Sequence, residues 1–258
     1  MDIGLVVFDW AGTLVDFGCR APTAAFLAAF AEVGLPISEA CARKPMGAHK
    51  RDHVREILGE AEIADRVRRE LRREPDAALG EEIYRCFTRR LLELLPAHAE
   101  PIPGVLETLR ALRTRGIHVG STTGYTRAMM DVLEPVAGGA GLVADALVCA
   151  DEVPQVRPAP FACFRLAERF GVYPMSRCVK VGDTPADVAE GLNAGMRVVA
   201  ISESGNEMGL SLAQLAALAP SERAARLTAA EERLRGAGAH TVLRSVAELP
   251  AWLDEIES

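Results

Sequence analysis

Leu5-Val6-Val7-Phe8-Asp9-Trp10-Ala11-Gly12-Thr13 opens the chain. An apolar run that ends on an acid, a glycine and a hydroxyl has the form of a strand buried on both faces of a parallel sheet. In open α/β sheets, ligands bind beyond the carboxyl ends of the strands, so Asp9 stands where a catalytic carboxylate would stand. Gly12 would let the backbone approach a ligand closely, and Thr13 can donate or accept a hydrogen bond. An Asp that only caps a turn after a core strand fits this stretch equally well. The rest of the chain has to decide.

Beyond Thr13 the period changes. Pro22 to Val33 is Ala-rich and helical and is stopped by Gly34 and Pro36. Ser38 caps a short helix to about Ala42, and the break Lys44-Pro45-Met46-Gly47 follows. Further helices are expected at about Ala48 to Leu58, Glu62 to Arg72 and Leu79 to Leu94, with no strand between Pro22 and Pro96. From Pro101-Ile102-Pro103-Gly104 onward, helices (Val105 to Arg115, Arg127 to Val136, Phe161 to Phe170, Ala186 to Ala194) alternate with strands (Ile117 to Ser121, Ala146 to Ala150, Cys178 to Val181, Val198 to Ile201). That alternation implies βαβ units with right-handed crossovers. The tail adds a charged helix, Ser221 to Arg235, a short edge strand, Thr241 to Leu243, and a last helix, Val246 to Ile256. The expected fold class is α/β: a Rossmann-like parallel sheet core, residues 1–19 and 100–258, with an inserted all-helical cap domain, residues 20–99. Phe17 to Ala21 and Ala97 to Gly104 are the expected hinges.

The 258 residues carry a net charge of -7, and 49% are hydrophobic. This suits a soluble globular protein and argues weakly against a nucleic-acid surface. The Arg-rich run Arg66 to Arg73 is interleaved with acids and reads as a solvated helix face. The chain enters a strand at once, so no signal peptide is expected, and no apolar run reaches the ~20 residues that span a bilayer. Six scattered cysteines without a Cys-x-x-Cys pair suit reduced thiols. A cytoplasmic protein with no membrane and no nucleic-acid partner is expected.

Three later strand ends are polar as well. One is Gly120-Ser121-Thr122-Thr123-Gly124-Tyr125. Another runs through Asp151-Glu152-Val153-Pro154 to Arg157-Pro158. The last is Lys180-Val181-Gly182-Asp183-Thr184, with Asp187 one turn further on. A single polar strand end is a turn, whereas four of them bring Asp9, Thr123, Arg157, Asp183 and Asp187 toward one place. Converging ionised carboxylates need a cation, and oxygen-only ligands suit Mg²⁺. A Thr hydroxyl and an Arg fork are phosphate-binding groups. The chemistry indicated is Mg²⁺-assisted phosphoryl transfer to a nucleophilic Asp. Lys180 reads as an ordinary strand residue.

Asp9-Trp10-Ala11-Gly12-Thr13, the hydroxyl cluster ending in Thr123, and Gly182-Asp183-Thr184-Pro185-Ala186-Asp187 resemble the signature motifs of the haloacid dehalogenase superfamily. The helical insertion resembles that superfamily's cap. Its ordinary phosphatases carry a second Asp two residues after the nucleophile as general acid/base, and here that position is Ala11. This departure resembles the superfamily's phosphonatase branch. So do Arg43-Lys44-Pro45-Met46-Gly47-Ala48-His49-Lys50-Arg51-Asp52-His53-Val54, Gly120 to Arg127 and Val172-Tyr173-Pro174-Met175. The resemblance implies a small-molecule phosphonate substrate, phosphonoacetaldehyde, hydrolysed at its P–C bond to acetaldehyde and phosphate during 2-aminoethylphosphonate degradation. It implies Asp9 as nucleophile and Lys50 as Schiff-base lysine. Mg²⁺ would be held by the side chains of Asp9 and Asp183 and the carbonyl of Ala11. Thr123 and Arg157 would hold the phosphoryl oxygens, and Asp187 would orient metal-bound water or neighbouring groups. Thr13, Cys19, Met46 and Tyr125 are expected around the pocket. A homodimer formed through the cap is implied too, with Phe26 to Phe30 as a candidate face.

Cleaving a P–C bond leaves a carbanion, so an acid at position 11 has little to do. A protonated lysine imine can take the electrons instead, as an enamine. Lys50 must be neutral to attack an aldehyde, and desolvation and the neighbouring Arg43, Lys44, His49, Arg51 and His53 are expected to lower its pKa. His53, three residues on and on the same helix face, is the candidate proton carrier. Two other readings compete. One is a phosphate-monoester phosphatase of the same superfamily. The other is a non-catalytic binding or regulatory protein on this fold that has lost the Asp at position 11. The bland reading of the insertion makes His49 and His53 surface residues and Lys50 an ordinary helix lysine.

Overall fold

The computed structural model describes residues 2–257. Strand β1 (Leu5–Phe8) lies inside a six-stranded sheet of order β3-β2-β1-β4-β5-β6. The other strands are β2 (His118–Thr122), β3 (Ala146–Val148), β4 (Cys178–Gly182), β5 (Arg197–Ile201) and β6 (Thr241–Leu243). All neighbours pair in parallel. Alternate residues of β1 face opposite sides. Val6 and Phe8 join a large apolar cluster with Leu109, Leu112 and Leu133, while Leu5 and Val7 pack with Cys163, Leu166 and Cys178. Covering on both faces is why the strand reads as an unbroken apolar run.

The helices are, in chain order, α1 (Arg20–Glu32), α2 (Glu39–Arg43), α3 (Lys50–Gly59), α4 (Ala61–Arg66), α5 (Ala77–Leu94), α6 (Val105–Thr114), α7 (Arg127–Gly139), α8 (Phe161–Phe170), α9 (Pro185–Asn193), α10 (Leu212–Ala217), α11 (Pro220–Gly236) and α12 (Leu249–Glu257). Helices α6, α7 and α12 cover one face of the sheet, and α8, α9 and α11 the other. The sheet runs from β1 through β2 to β3 on one side and through β4 to β6 on the other. The carboxyl end of β1 is therefore a topological switch point, where such sheets open a crevice.

Between β1 and α6 the named elements are all helical, as expected. Leu79, Ile83, Phe87 and Leu91 repeat every four residues and form one fully buried face of α5. The Phe26 ring of α1 stacks between Phe87 of α5 (4.1 Å between centroids) and His53 of α3 (3.9 Å). Phe26 and Phe30 are completely buried in this packing. They do not offer a face to a second chain, because α5 and α3 already cover them. The expected helix Glu62 to Arg72 is divided into α4 and a π-helical turn, Val67–Leu71, which ends at Arg72 in a left-handed conformation. The Arg-rich run around it pairs with Glu70, Asp65, Glu74 and Glu82 on the surface.

The helical insertion leaves and rejoins the sheet at one point. Asp16, at a positive φ of 56°, accepts the N–H groups of Arg20 and Ala21 at the start of α1. The same carboxylate meets Nδ1 of His98, 2.8 Å away in the returning segment. Val15 bridges to Pro101, and the Ile102 N–H donates to the Leu14 carbonyl at 2.9 Å. Among the described residues, no helix is long and apolar enough to cross a membrane, and all six cysteines are free.

Candidate active site

Asp9 follows β1, and its N–H donates to the Val181 carbonyl of β4 at 2.9 Å. Thr123 follows β2, Arg157 lies on the segment after β3, and Asp183 follows β4. Asp187 stands in the first turn of α9, which Thr184 caps: the Thr184 hydroxyl donates to Asp187 Oδ2 at 2.6 Å and accepts the Asp187 N–H. The switch point thus gathers all five residues. Asp9, Asp183 and Asp187 present oxygens within 4.8 Å of one another.

The three carboxylates are not equivalent. Asp187 Oδ1 lies 2.8 Å from Arg157 Nη1 and 3.2 Å from Lys180 Nζ. Burial pushes its pKa up, but these cations and Thr184 outweigh burial and hold it below the usual range. Asp183 has no ion-pair partner among the described residues. It accepts the Thr13 hydroxyl (3.1 Å), the Asn206 N–H (2.8 Å) and the Cys19 thiol (3.2 Å). Burial first, then Asp9 and Asp187, drive its pKa well up. Asp9 is raised as well, by burial working against Arg157, whose Nη2 lies 2.7 Å from Oδ1.

Four buried carboxylates (Asp9, Asp183, Asp187 and Glu190) therefore face two buried cations, Arg157 and Lys180. The carboxylates outnumber the cations that pair with them, and in a pocket of oxygen ligands that excess fits a divalent cation such as Mg²⁺. Asp9 and Asp183 are the carboxylates still in need of positive charge, whereas Asp187 already has it. The Ala11 carbonyl joins them, since one Cys19 thiol bridges it (3.1 Å) and Asp183 Oδ2. Gly12, at φ 86°, is required here: a Cβ would fall 2.4 Å from Asp183 Oδ2.

Lys50 opens α3 and is 5% exposed. Its amine touches no carboxylate. It contacts Met46 Sδ at 3.8 Å, and the rings of Phe26 and Tyr125 lie 5.9 and 5.7 Å away. Burial lowers its pKa to about 8, against the pull of Cys19 and Asp9. The positive end of the α3 dipole favours the neutral amine too. The flanking cations do less than expected, because Arg43 pairs with Glu39, Lys44 with Glu60 and Arg51 with Glu81. His53 is fully buried, not a surface residue. Its Nε2 lies 2.9 Å from the Ala42 carbonyl, which can only accept, so Nε2 carries the proton and Nδ1 is left as a buried base without a protein partner. Burial and the neighbouring Lys50 hold its pKa well below the ordinary value.

Asp9, Ala11, Cys19, Met46, Lys50, Thr123, Tyr125 and Arg157 line one small cavity of about 20 Å³, room for about one water. Asp9 is the only carboxylate among its lining residues. Thr123 faces the cavity and accepts the Tyr125 N–H at 3.1 Å, whereas the neighbouring Thr122 hydroxyl turns inward to Arg157. Lys180 and Glu190, passed over in the sequence, are fully buried beneath Arg157.

A sheet of this order, with an Asp on its central strand and a helical insertion after it, defines a class of hydrolases. The family model described as haloacid dehalogenase-like hydrolase matches residues 3–195. A protein of Nitratidesulfovibrio vulgaris named phosphonoacetaldehyde hydrolase is 45% identical over 98% of this chain and 90% of its own length. A Clostridioides difficile protein named bifunctional phosphonoacetaldehyde hydrolase/aminoethylphosphonate transaminase is 43% identical over 99% of this chain and 40% of its own length. The crystal structure of a phosphonoacetaldehyde hydrolase-like protein from Oleispira antarctica superimposes with a TM-score of 0.96 at 34% identity, covering 99% of this chain and 93% of that one. The chain belongs to the haloacid dehalogenase-like hydrolases and, within them, to the phosphonoacetaldehyde hydrolase family.

Proposed function

We propose that this hydrolase cleaves the P–C bond of phosphonoacetaldehyde through an imine on Lys50 and a phosphoryl group carried on Asp9. The observation that carries the reading is that a buried amine with no carboxylate ion-pair partner among the described residues shares one small cavity with Asp9 and Arg157. The Lys50 amine adds to the aldehyde carbon and water leaves, giving the protonated imine. Asp9 attacks phosphorus, and the P–C electron pair moves into the imine to form an enamine. Protonation and hydrolysis of the enamine release acetaldehyde and return Lys50, and a second water frees phosphate from Asp9. His53, which does not line the cavity, would move the imine protons from Nδ1, the unpartnered buried nitrogen three residues along the helix from Lys50. Thr123 and Arg157 hold the phosphoryl oxygens. Asp9, Asp183 and the Ala11 carbonyl would hold Mg²⁺, which supplies positive charge for the phosphoryl oxygens. Asp187 acts through Arg157 and Thr184.

A cavity lined by no second carboxylate disfavours phosphate-ester hydrolysis, since an alkoxide leaving group would lack its acid. The fusion partner named in the Clostridioides difficile relative, an aminoethylphosphonate transaminase, supports a role in 2-aminoethylphosphonate degradation. The cavity is far too small for the substrate, so residues 20–99 would act as a cap that opens to admit it. Pairing of two chains through the cap belongs to the same reading, and the solution mass would reveal it.

The decisive experiment is borohydride reduction with acetaldehyde or phosphonoacetaldehyde, followed by mass mapping. An adduct on Lys50 is expected, and its absence refutes the imine. Lys50→Arg keeps charge but cannot form an imine, and phosphate release from phosphonoacetaldehyde should fall to background.

A further inference from the structure

Glu190 and Lys180 lie beneath the cavity and do not line it. Glu190 is 1% exposed on α9, and Lys180 is 0% exposed in β4. Two such charges under a doubly covered sheet are costly unless their polar atoms are engaged. Theirs are engaged with the site. Glu190 Oε2 receives Arg157 Nε at 2.9 Å, Lys180 Nζ at 3.0 Å and the Thr122 hydroxyl at 3.1 Å. The Thr122 oxygen accepts from Arg157 Nη2 and from Lys180 Nζ, each at 2.8 Å. Its one proton and two lone pairs are then used up. The planar guanidinium of Arg157 is thereby gripped on every edge: Nε by Glu190, Nη1 by Asp187, and Nη2 by Asp9 and Thr122. With Asp9 and Asp187 alone, both on the outer nitrogens, the plane could tilt about its long stem. Glu190 closes the third edge, and Lys180 balances its charge.

We propose that Glu190, with Lys180 as counter-ion and Thr122 as bridge, is the positioning residue that aims Arg157 at Asp9 and the phosphoryl group. This rests on the hydrolase reading given above. Glu190→Gln in the full-length enzyme with Mg²⁺ keeps the shape and removes the charge. P–C cleavage should fall about a hundredfold and affinity for inorganic phosphate about tenfold. Borohydride trapping of acetaldehyde on Lys50, which needs no phosphoryl contact, should be unchanged. The double variant Lys180→Met/Glu190→Gln removes both charges. It should recover neither rate nor phosphate affinity, because Nε still lacks its carboxylate. Wild-type phosphate affinity in Glu190→Gln, or its recovery in the double variant, overturns the proposal. If the wild-type enzyme released no phosphate from phosphonoacetaldehyde, the hydrolase reading would fall instead, and the phosphate-affinity comparison would still decide the role of Glu190.

Discussion

Two lysines buried within one site have opposite fates. For Lys180, burial and Arg157 work against the charge, but Glu190 and Asp187 outweigh them and its pKa rises above the ordinary value. Lys50 meets no carboxylate and titrates at about 8. About one-tenth of it is then neutral at pH 7, against about one part in three thousand for an ordinary lysine. In the proposed mechanism the neutral amine is the nucleophile, so imine formation should rise with pH and level off above about 8. Rates of borohydride-trapped adduct against pH test this, and a profile still climbing at about pH 10 would contradict it. Asp9 and Asp183 were legible in the sequence because each ends an apolar strand, and Lys50 only through the resemblance of its surroundings. Glu190 was not legible, since an acid in mid-helix is usually solvated. Lys180 did carry a signal: a charge inside Cys178-Val179-Lys180-Val181, in a strand covered on both faces, must have a buried partner. Asp187 and Glu190, three apart on one face of α9, were the available partners.

Among the elements, α1 is the hinge pin of the cap's packing. Its Phe26 holds α5 through Phe87 and α3 through His53. Phe26→Ala would leave a cavity there and cost about 3–5 kcal/mol, read as a lower denaturant midpoint. It would also free the His53 ring, so adduct formation on Lys50 should slow even where the protein remains folded. Most helices were legible from periodicity and their stops, as Ser38 before α2 and the run Phe161 to Phe170 illustrate. Helix α10 was missed although Ser211 and Gln214 form a reciprocal cap, a signal readable four residues at a time. The π-helical turn after α4 was not legible, because its residues keep helical periodicity and only the hydrogen-bond step changes.

For the whole molecule, charge balance would link a bound metal to stability. Asp183 has a raised folded-state pKa, so its protonated form favours the fold, and that contribution is present below about pH 4 and lost as pH rises through the raised value. A bound divalent cation removes the cost of ionising it. Chelation should therefore lower the Tm, by an amount equivalent to about 3 kcal/mol when the metal stands at a hundred times its Kd. The gap between metal-loaded and chelated protein should widen from pH 5 to about 7. Calorimetry at several pH values decides this, and a Tm indifferent to chelation would count against the ligand set. The junction where Asp16 meets His98 and Val15 meets Pro101 has a separate consequence. Both ends of the insertion pass through a single doorway, so the segment between them is a cassette. Its length and contents can be exchanged without shifting the register of the sheet, provided the doorway matches. On the proposed mechanism the phosphoryl acceptor, Asp9, belongs to the frame and the amine, Lys50, to the cassette. A different cassette on the same frame would then serve a different leaving group, so the two halves of such chemistry could be inherited, or engineered, one at a time.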